Sequence, residues 1–335
     1  MSPRTPNPHR HEPSQAEVRD FLAAVEVLRD EVDGDALRRS SDRRVEFDEY
    51  RTVHAYRLWR SLDRVSGLLS GVPSPNLLEL GAMPYFFTAL LLDHLPAARV
   101  TGVNLRTGRD SRAASSSSRP SKVSLGFGDP RKQHDVDIHI FNVEHDPFPF
   151  SDGIFDAVLC MELIEHLTYS PTHMLAEAHR VLKPGGLLFL STPNAVDMRK
   201  TASLLLNRSA GFRYSGYGMY GRHNREFTLA ELRMLVKACG YHVLGGAHEN
   251  ILSRRHYPLL LRLAFAALSA PTALPLPYFS GKREYLFLWA RTQGRARYAF
   301  PSPLYQVRHL YPDYRGEAPL SDSESASFIS DGADG

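Results

Sequence analysis

Three residues that can bind a metal ion follow an apolar run in the middle of the chain. The run 155–161 predicts a buried strand, and Glu162, Glu165 and His166 come directly after it. If a helix begins near Glu162, these side chains stand at positions i, i+3 and i+4 and share one helical face. Two carboxylates and an imidazole at the carboxyl edge of a parallel sheet suit a divalent cation. The alternative interpretation is structural: Glu165 and His166 cap and pack the first turn of that helix.

Strands and helices alternate on both sides of this stretch, which predicts an α/β fold with a parallel sheet. The predicted strands cover residues 76–80, 99–105, 136–141, 155–161, 187–191, 241–245 and 283–291. Helices are predicted at 15–32, 46–69, 174–181 and 228–239, with a further apolar helix after Gly81. Because two helices precede the first strand, residues 15–75 are interpreted as a helical cap over the catalytic face.

Length and composition limit the class of protein. A chain of 335 residues can bury a sizeable core, and its net charge of +3, with acids and bases interspersed, gives no argument for nucleic acid. The two cysteines, Cys160 and Cys239, make no disulfide framework and are expected to be buried. Residues 1–14 are polar, lack the apolar core of a signal peptide and are expected to be disordered. A cytoplasmic location is therefore expected.

Two segments near the C-terminus have no assigned role. The apolar run 257–279 is interrupted by Arg262 and several prolines, which argues against a membrane span. It is left with two interpretations, contact with a membrane surface or a lid. Residues 294–335 form a C-terminal extension that is expected to be disordered from about 317, where little can be buried.

Four motifs together resemble the class I S-adenosylmethionine-dependent methyltransferases. They are Leu78-Glu79-Leu80-Gly81, the run 148–158, Glu165-His166-Leu167 and the run 180–186. The resemblance covers roughly 76–243 and, more loosely, the last strand, so a methyltransferase domain is predicted over 76–293. It implies a Rossmann-like sheet of seven mostly parallel strands with an antiparallel last strand. The cofactor S-adenosylmethionine would lie across the carboxyl ends of the first half.

The resemblance also implies which residues contact this cofactor. Beneath its methionine portion and near its sulfonium would lie Glu79, Gly81, Ala82 and Met161. Asn104 would contact the ribose hydroxyls, and Asn142 and Val143 would flank the adenine. This sequence has one glycine, Gly81, where the family usually has two or three, and Asn104 where the family usually has an acid.

The run 162–166 resembles the metal-binding motif of ubiquinone-pathway and small-RNA O-methyltransferases. In the RNA enzymes a later histidine completes the site, and His223 stands at a comparable position here. The implied ligands of Mg²⁺ or Mn²⁺ are then Glu162, Glu165, His166 and His223, with Glu165 and the two histidines also counted as catalytic. The segment 217–226, within a predicted acceptor-pocket segment at 195–227, is similar to a methyltransferase branch associated with bacterial glycan modification. The alternative for this segment is a structural role, with His223 capping the helix that follows.

The predicted function is metal-assisted O-methylation of a sugar or sugar-containing small molecule, with no transmembrane segment and with homo-oligomerisation left open. Three alternatives remain at this point. They are a metal-independent N- or O-methyltransferase with a histidine base, an RNA 2′-O-methyltransferase, and a non-catalytic cofactor-binding protein. A nucleic-acid partner is not expected from the charge.

Overall fold

A single mixed sheet organises the protein in its computed structural model, which describes residues 15–32, 41–105, 120–127, 132–209, 219–251, 258–301 and 303–305. The strands are β1 (Glu26–Asp30), β2 (Asn76–Leu80), β3 (Arg99–Asn104), β4 (Ser121–Phe127), β5 (Lys132–Ile140), β6 (Phe155–Met161), β7 (Leu182–Pro193), β8 (Tyr241–Glu249) and β9 (Tyr285–Thr292). The α-helices are α1 (Gln15–Ala24), α2 (Ser41–Leu68), α3 (Phe86–His94), α4 (Thr172–Val181), α5 (Met198–Leu205), α6 (Leu229–Ala238), α7 (Leu259–Ser269) and α8 (Pro277–Ser280).

The strand order is β1-β4-β5-β3-β2-β6-β7-β9-β8. The five strands from β5 to β7 run parallel, whereas β9 is antiparallel to both of its neighbours, β7 and β8. The seven strands from β5 to β8 therefore have the predicted arrangement. The predicted count of seven is nevertheless wrong for the whole sheet, because β4 folds back antiparallel on β5 and β1 pairs antiparallel with β4.

The N-terminal segment differs from its prediction. The helix predicted over 15–32 ends at Ala24, and the chain then becomes strand β1, in which Val27 pairs with Leu125. So short a stretch fits the apolar spacing of a helix as well as that of a strand. Here the strand forms because pairing with an available sheet edge satisfies the backbone hydrogen bonds of residues 26–30. Residues 15–75 thus contribute a strand to the sheet as well as helices α1 and α2.

The core lies on both faces of the sheet. Strands β2 and β6 are almost entirely buried and mostly apolar, as expected for central parallel strands covered on both sides, and Glu79 in β2 is a buried exception. One face packs against α1, α2 and α3, and the other against α4 and α6. Helix α6 begins with the predicted capping box, in which Thr228 and Glu231 exchange hydrogen bonds.

Both cysteines are buried, as predicted. Among the described residues no helix combines the length and the apolar character needed to cross a membrane. The predictions for residues 1–14 and for the C-terminal extension beyond Tyr305 lie outside the described residues.

Candidate active site

The loops that follow β2, β3, β5 and β6 border two adjoining cavities at the carboxyl edge of the sheet. The larger cavity has a volume of about 410 Å³ and the smaller about 240 Å³. They share part of their lining: Gly81, Met83, Glu162 and His166. A ligand that occupies one cavity can therefore continue into the other.

The structure brings all seven predicted cofactor-contacting residues to these cavities. The larger is lined by Glu79, Gly81, Ala82 and Met161, among others. The smaller is lined by Gly81, Asn104, Asn142 and Val143, among others. Their contacts with a cofactor stay a prediction.

Gly81 forms the turn between β2 and α3. Its φ is +74°, and a Cβ at this position would lie 3.3 Å from Cδ1 of Leu163. A side chain is thus disfavoured both by the backbone conformation and by the neighbouring leucine. The backbone N–H groups of Gly81 and Ala82 donate to the Val103 carbonyl at 2.8 and 3.1 Å, which fixes the turn against β3.

Asn104 holds the rest of this loop. Its Oδ1 accepts from the Met83 N–H at 3.0 Å, and its Nδ2 donates to the Tyr85 hydroxyl at 3.2 Å. An amide has two donor hydrogens and two acceptor lone pairs, so one of each remains for a ligand. The predicted ribose contact is compatible with this structural role.

Glu79 is a buried carboxyl at the floor of the larger cavity. Thr88 donates a hydrogen bond of 2.6 Å to its Oε2. Burial raises the pKa of Glu79 to about 8, because the charged form is removed from water, and the Thr88 hydrogen bond only partly opposes this. A cationic ligand beside Glu79 would stabilise its ionised form.

Asn142 connects the smaller cavity to a later segment of the chain. Its Nδ2 donates to the Tyr220 hydroxyl at 2.8 Å, and that hydroxyl donates to Oε2 of Glu144 at 3.1 Å. Glu144 is fully buried and also accepts from the backbone N–H groups of residues 168–170. Tyr220 lies in the predicted acceptor-pocket segment, whereas Glu144 was not predicted as a site residue, since only the fold shows that the two meet.

The predicted helix from Glu162 does not form. Glu162 has φ +52°, and the chain then makes a single 3₁₀ turn, Ile164–His166, before α4 begins at Thr172. The i, i+3, i+4 face is therefore wrong. The left-handed residue instead turns the chain immediately after β6, where the Glu162 N–H donates to the Ser191 carbonyl at 3.0 Å.

Three of the four predicted metal ligands nevertheless meet. Glu165, His166 and His223 each offer one ligand atom, and these atoms lie within 4.8 Å of one another. Glu162 is not part of this cluster. Its Oε1 accepts from the Ser191 hydroxyl at 2.9 Å and lies 3.6 Å from Nη1 of Arg57. The structure thus brings three of the four predicted ligands together, and metal binding by them stays a prediction.

Glu165 is the buried member of the cluster. Thr192 donates to its Oε2 at 2.9 Å, while the buried Oε1 has no hydrogen-bond partner among the described residues. Burial, followed by the nearby charge of Glu162, raises the pKa of Glu165 well above its usual range. Since an unpaired buried oxygen is costly, this atom is a candidate ligand for a cation.

The two histidines are oriented by hydrogen bonds on one ring nitrogen. Nδ1 of His166 lies 3.0 Å from the Arg222 carbonyl, and Nδ1 of His223 lies 3.2 Å from Oε1 of Glu226. Metal-binding histidines usually have such a partner on the nitrogen opposite the metal. Burial and the neighbouring His223 lower the pKa of His166 to about 4, which keeps its imidazole neutral near pH 7.

The alternative, that Glu165 and His166 cap and pack the first turn of a helix, is wrong because that helix does not form, but the backbone of both residues has a structural role. The Asn224 N–H donates to the Glu165 carbonyl at 2.7 Å, and Nδ2 of Asn224 donates to the His166 carbonyl at 2.7 Å. These contacts use only the backbone of the 3₁₀ turn. They hold the segment around His223 in place and leave both side chains in the cluster.

Comparison with known proteins gives the class of this region. Residues 78–190, about a third of the chain, match the family model described as methyltransferase domain. Residues 78–190 are therefore similar to a methyltransferase domain. The match begins in β2 and ends in β7, and thus includes Glu79, Gly81, Glu165 and His166.

Individual relatives match over parts of their length. A Mycolicibacterium smegmatis protein named as a probable S-adenosylmethionine-dependent methyltransferase is 32% identical over 108 residues. These residues cover 32% of this chain and 36% of that protein. A ubiquinone biosynthesis O-methyltransferase of Xanthomonas oryzae is 49% identical over 59 residues, 18% of this chain and 24% of that protein. The chain therefore matches about a third or less of these relatives' own length.

Among solved structures, 1,6-didemethyltoxoflavin-N1-methyltransferase of Burkholderia thailandensis is 17% identical, with a TM-score of 0.42. The alignment covers 87% of this chain and 93% of that one.

A buried arginine from outside the matched methyltransferase domain also lines the larger cavity. Arg57, on α2, is fully buried and donates from Nη2 to the Tyr50 hydroxyl at 2.7 Å and from Nε to Nδ1 of His54 at 3.3 Å. Its Nη1, 3.6 Å from Glu162, has no hydrogen bond to any described residue. The sequence signal for this group was the spacing of Tyr50, His54 and Arg57, which places polar residues on one helical face.

Proposed function

We propose that the protein is an S-adenosylmethionine-dependent O-methyltransferase in which Glu165, His166 and His223 bind a divalent cation. The observation that carries the proposal is the buried, unpaired Oε1 of Glu165 beside two oriented imidazoles. The methyltransferase domain match supports the reaction class. The relatives named as O-methyltransferases support oxygen as the acceptor atom.

The two cavities suit the two ends of the cofactor. The adenosine would occupy the smaller cavity, between Asn104 and Asn142, and the methionine portion would extend over Gly81 into the larger one. That portion carries an ammonium and a carboxylate. The larger cavity offers a carboxyl group, Glu79, and a guanidinium, Arg57, of the complementary charges.

The donor set fits a first-row divalent cation. One carboxylate oxygen and two imidazole nitrogens match Mn²⁺ better than Mg²⁺, which prefers oxygen ligands throughout. Such a cation, when bound, lowers the pKa of an acceptor hydroxyl and fixes its orientation. It would also stabilise the ionised form of Glu165, whose burial otherwise favours the protonated form.

The chain's own residues supply alignment. Methyl transfer from a sulfonium is an in-line displacement, so the site must hold the acceptor oxygen opposite the leaving sulfur. Met161, Gly81, the 3₁₀ turn and His223 all line the larger cavity, so this one space could hold both the sulfonium and the acceptor oxygen. Glu226 and the Arg222 carbonyl keep the two rings in position throughout.

A sugar hydroxyl is the proposed acceptor class. The support is the polar and aromatic segment that includes Tyr220, Arg222, His223 and Asn224, which packs on the cluster through Asn224. A vicinal diol can bind a cation through two oxygens, and three protein ligands leave room for both.

The test combines metal binding with product mass. Titration with Mn²⁺ should show one site in the wild type and in His242→Ala, and a strongly weakened site in His223→Ala. His242 is an exposed histidine at the end of β8 and serves as the matched control. With cofactor and a panel of sugar acceptors, a mass gain of ~14 daltons should appear with Mn²⁺ and disappear with chelator. Full activity in chelator, with His223→Ala as active as wild type, would disprove the metal role.

One observation favours a metal-independent variant of the same reaction. Glu226 orients His223 as a carboxylate orients the histidine of a catalytic triad, so His223 could serve as general base. In that case activity would persist in chelator and would be lost in His223→Ala. The His166 imidazole is the weaker candidate for this role because its pKa is lowered to about 4.

A further inference from the structure

Large apolar side chains are exposed together on one part of the molecule that lies outside the methyltransferase domain match. We name them the apolar surface: Leu204, Leu205, Leu206, Leu259, Leu260, Leu261, Leu263, Leu274, Leu276 and Tyr278. Leu205 is 83% exposed and Leu260 81% exposed. A soluble monomer rarely exposes so many large apolar groups in one area, so the surface indicates contact with another body.

The elements that carry the apolar surface pack on one another. Helix α5 contacts α7, and both α7 and α8 contact the 3₁₀ turn Ala270–Ala273. None of the residues of α7 is buried against the rest of the protein. The helices therefore form one connected layer that turns its leucines outward.

The charged residues of these segments are all basic, although Arg199 and Lys200 pair with acids that lie outside them. No Asp or Glu occurs between Ile251 and Arg283, whereas that stretch contains four arginines and one lysine. Residues 198–209, which include α5, likewise contain no acid. Arg208 and Arg262 are exposed among the leucines. Leucines with interspersed cations and no acids are complementary to an anionic lipid surface, whose headgroups are negative above an apolar interior.

We propose that the apolar surface docks onto an anionic lipid bilayer. The eleven residues of α7 extend about 16 Å, roughly half of the hydrocarbon thickness, so this helix would lie in the interface and not cross it. Of the two interpretations left open for the run 257–279, the structure favours the membrane surface, because its leucines point away from the protein and a lid would cover them. This inference does not depend on the proposed methyl transfer.

The experiment is flotation of the full-length protein with two kinds of vesicle, phosphatidylcholine alone and phosphatidylcholine mixed with phosphatidylglycerol. The wild type should float with the anionic vesicles and bind at least about tenfold more weakly to the neutral ones. Leu205→Glu/Leu260→Glu should abolish flotation. Leu244→Glu, at a 44% exposed leucine on β8, is the matched control and should float like the wild type.

A charge variant separates the electrostatic part of the membrane interaction from the apolar part. Arg208→Gln/Arg262→Gln should weaken binding to anionic vesicles by on the order of tenfold or more, and high salt should have the same effect. Thermal melts of each variant confirm that the fold is kept. The proposal is overturned if the wild type fails to float. It is also overturned if light scattering shows a dimer that Leu205→Glu/Leu260→Glu converts to a monomer, since a second copy then covers the surface.

Discussion

The two cavities at the carboxyl edge differ in how their polar side chains are satisfied. In the smaller cavity, Asn104 and Asn142 bond to neighbouring loops through donors and acceptors of the protein itself. In the larger cavity, Oε1 of Glu165 and Nη1 of Arg57 are buried without a hydrogen bond among the described residues. Buried polar atoms are nearly always paired in folded proteins. The smaller cavity is thus preformed by its own side chains, whereas the larger one has buried polar atoms that are available to a ligand.

The largest effect is expected from removing the charge of Glu165 while keeping its shape. If the proposed cation is bound, Glu165→Gln should lower methyl transfer by about a hundredfold or more, because the cation and several kcal/mol of electrostatic stabilisation would be lost with the carboxylate. Cofactor affinity should change by less than about threefold, since the smaller cavity is untouched. Steady-state rates with Mn²⁺ and calorimetric cofactor titration measure the two effects. Equal losses of methyl-transfer rate and cofactor affinity would show that the two cavities do not act separately.

Arg57 and Glu162 form an ion pair in which Arg57 is fully buried, and removing one partner should cost more stability than removing both. Arg57→Met should lower the free energy of unfolding by about 3 kcal/mol, because it leaves the Glu162 carboxylate without its nearest cation. The double variant Arg57→Met/Glu162→Gln should recover much of this loss, since no uncompensated charge remains. Urea unfolding of the four proteins of this cycle measures the coupling. Additive losses would show that the two groups do not act as a pair.

Glu79 should couple cofactor binding to proton release. Its pKa of about 8 leaves it mostly protonated at pH 7, and a bound ammonium or sulfonium favours the carboxylate. Cofactor affinity should therefore rise with pH, by up to about tenfold per unit below pH 8, and level off above it. Calorimetry at pH 7 in buffers of different ionisation enthalpy detects the released proton. Glu79→Gln should abolish the release, and a pH-independent wild type would contradict the assignment.

The same raised pKa has a consequence for stability without cofactor. Because folded Glu79 keeps its proton to higher pH than the unfolded chain, its stabilising contribution is complete below the ordinary carboxyl pKa. It is then lost as pH rises through about 8. The unfolding free energy of the wild type minus that of Glu79→Gln should therefore fall as pH rises from the ordinary carboxyl pKa to about 8. A flat difference would mean that Glu79 ionises normally in the folded protein.

The smallest effect is expected at Asn104. Asn104→Asp should strengthen cofactor binding by about threefold if the side chain contacts a ribose hydroxyl, because a carboxylate makes a charge-assisted hydrogen bond. The Tyr85 hydroxyl can donate to the new carboxylate, so the loop should be kept. Calorimetric titration measures the change. Unchanged affinity with an unchanged fold would show that Asn104 serves the loop alone.

Local patterns were sufficient for most of the α/β core. The mostly apolar strands β2 and β6, the capping box of α6 and the turn at Gly81 were all predicted, because each depends on neighbouring residues. Strand β1 was missed since its pattern suits a helix as well as a strand. The choice between them was made by an edge that β4 provides.

The candidate site likewise has features that follow from local sequence and features that depend on tertiary packing. The sequence by itself determined that Glu165 and His166 follow a buried strand at the carboxyl edge, since chain direction and hydrophobicity are local properties. The family resemblance implied that His223 joins these two residues, and the His223 and His166 ring centroids lie 4.9 Å apart. Only the tertiary structure decided that Glu162 turns away toward Arg57. These outcomes depend on packing between segments that are far apart in the chain. No pattern of neighbouring residues encodes distances of that kind.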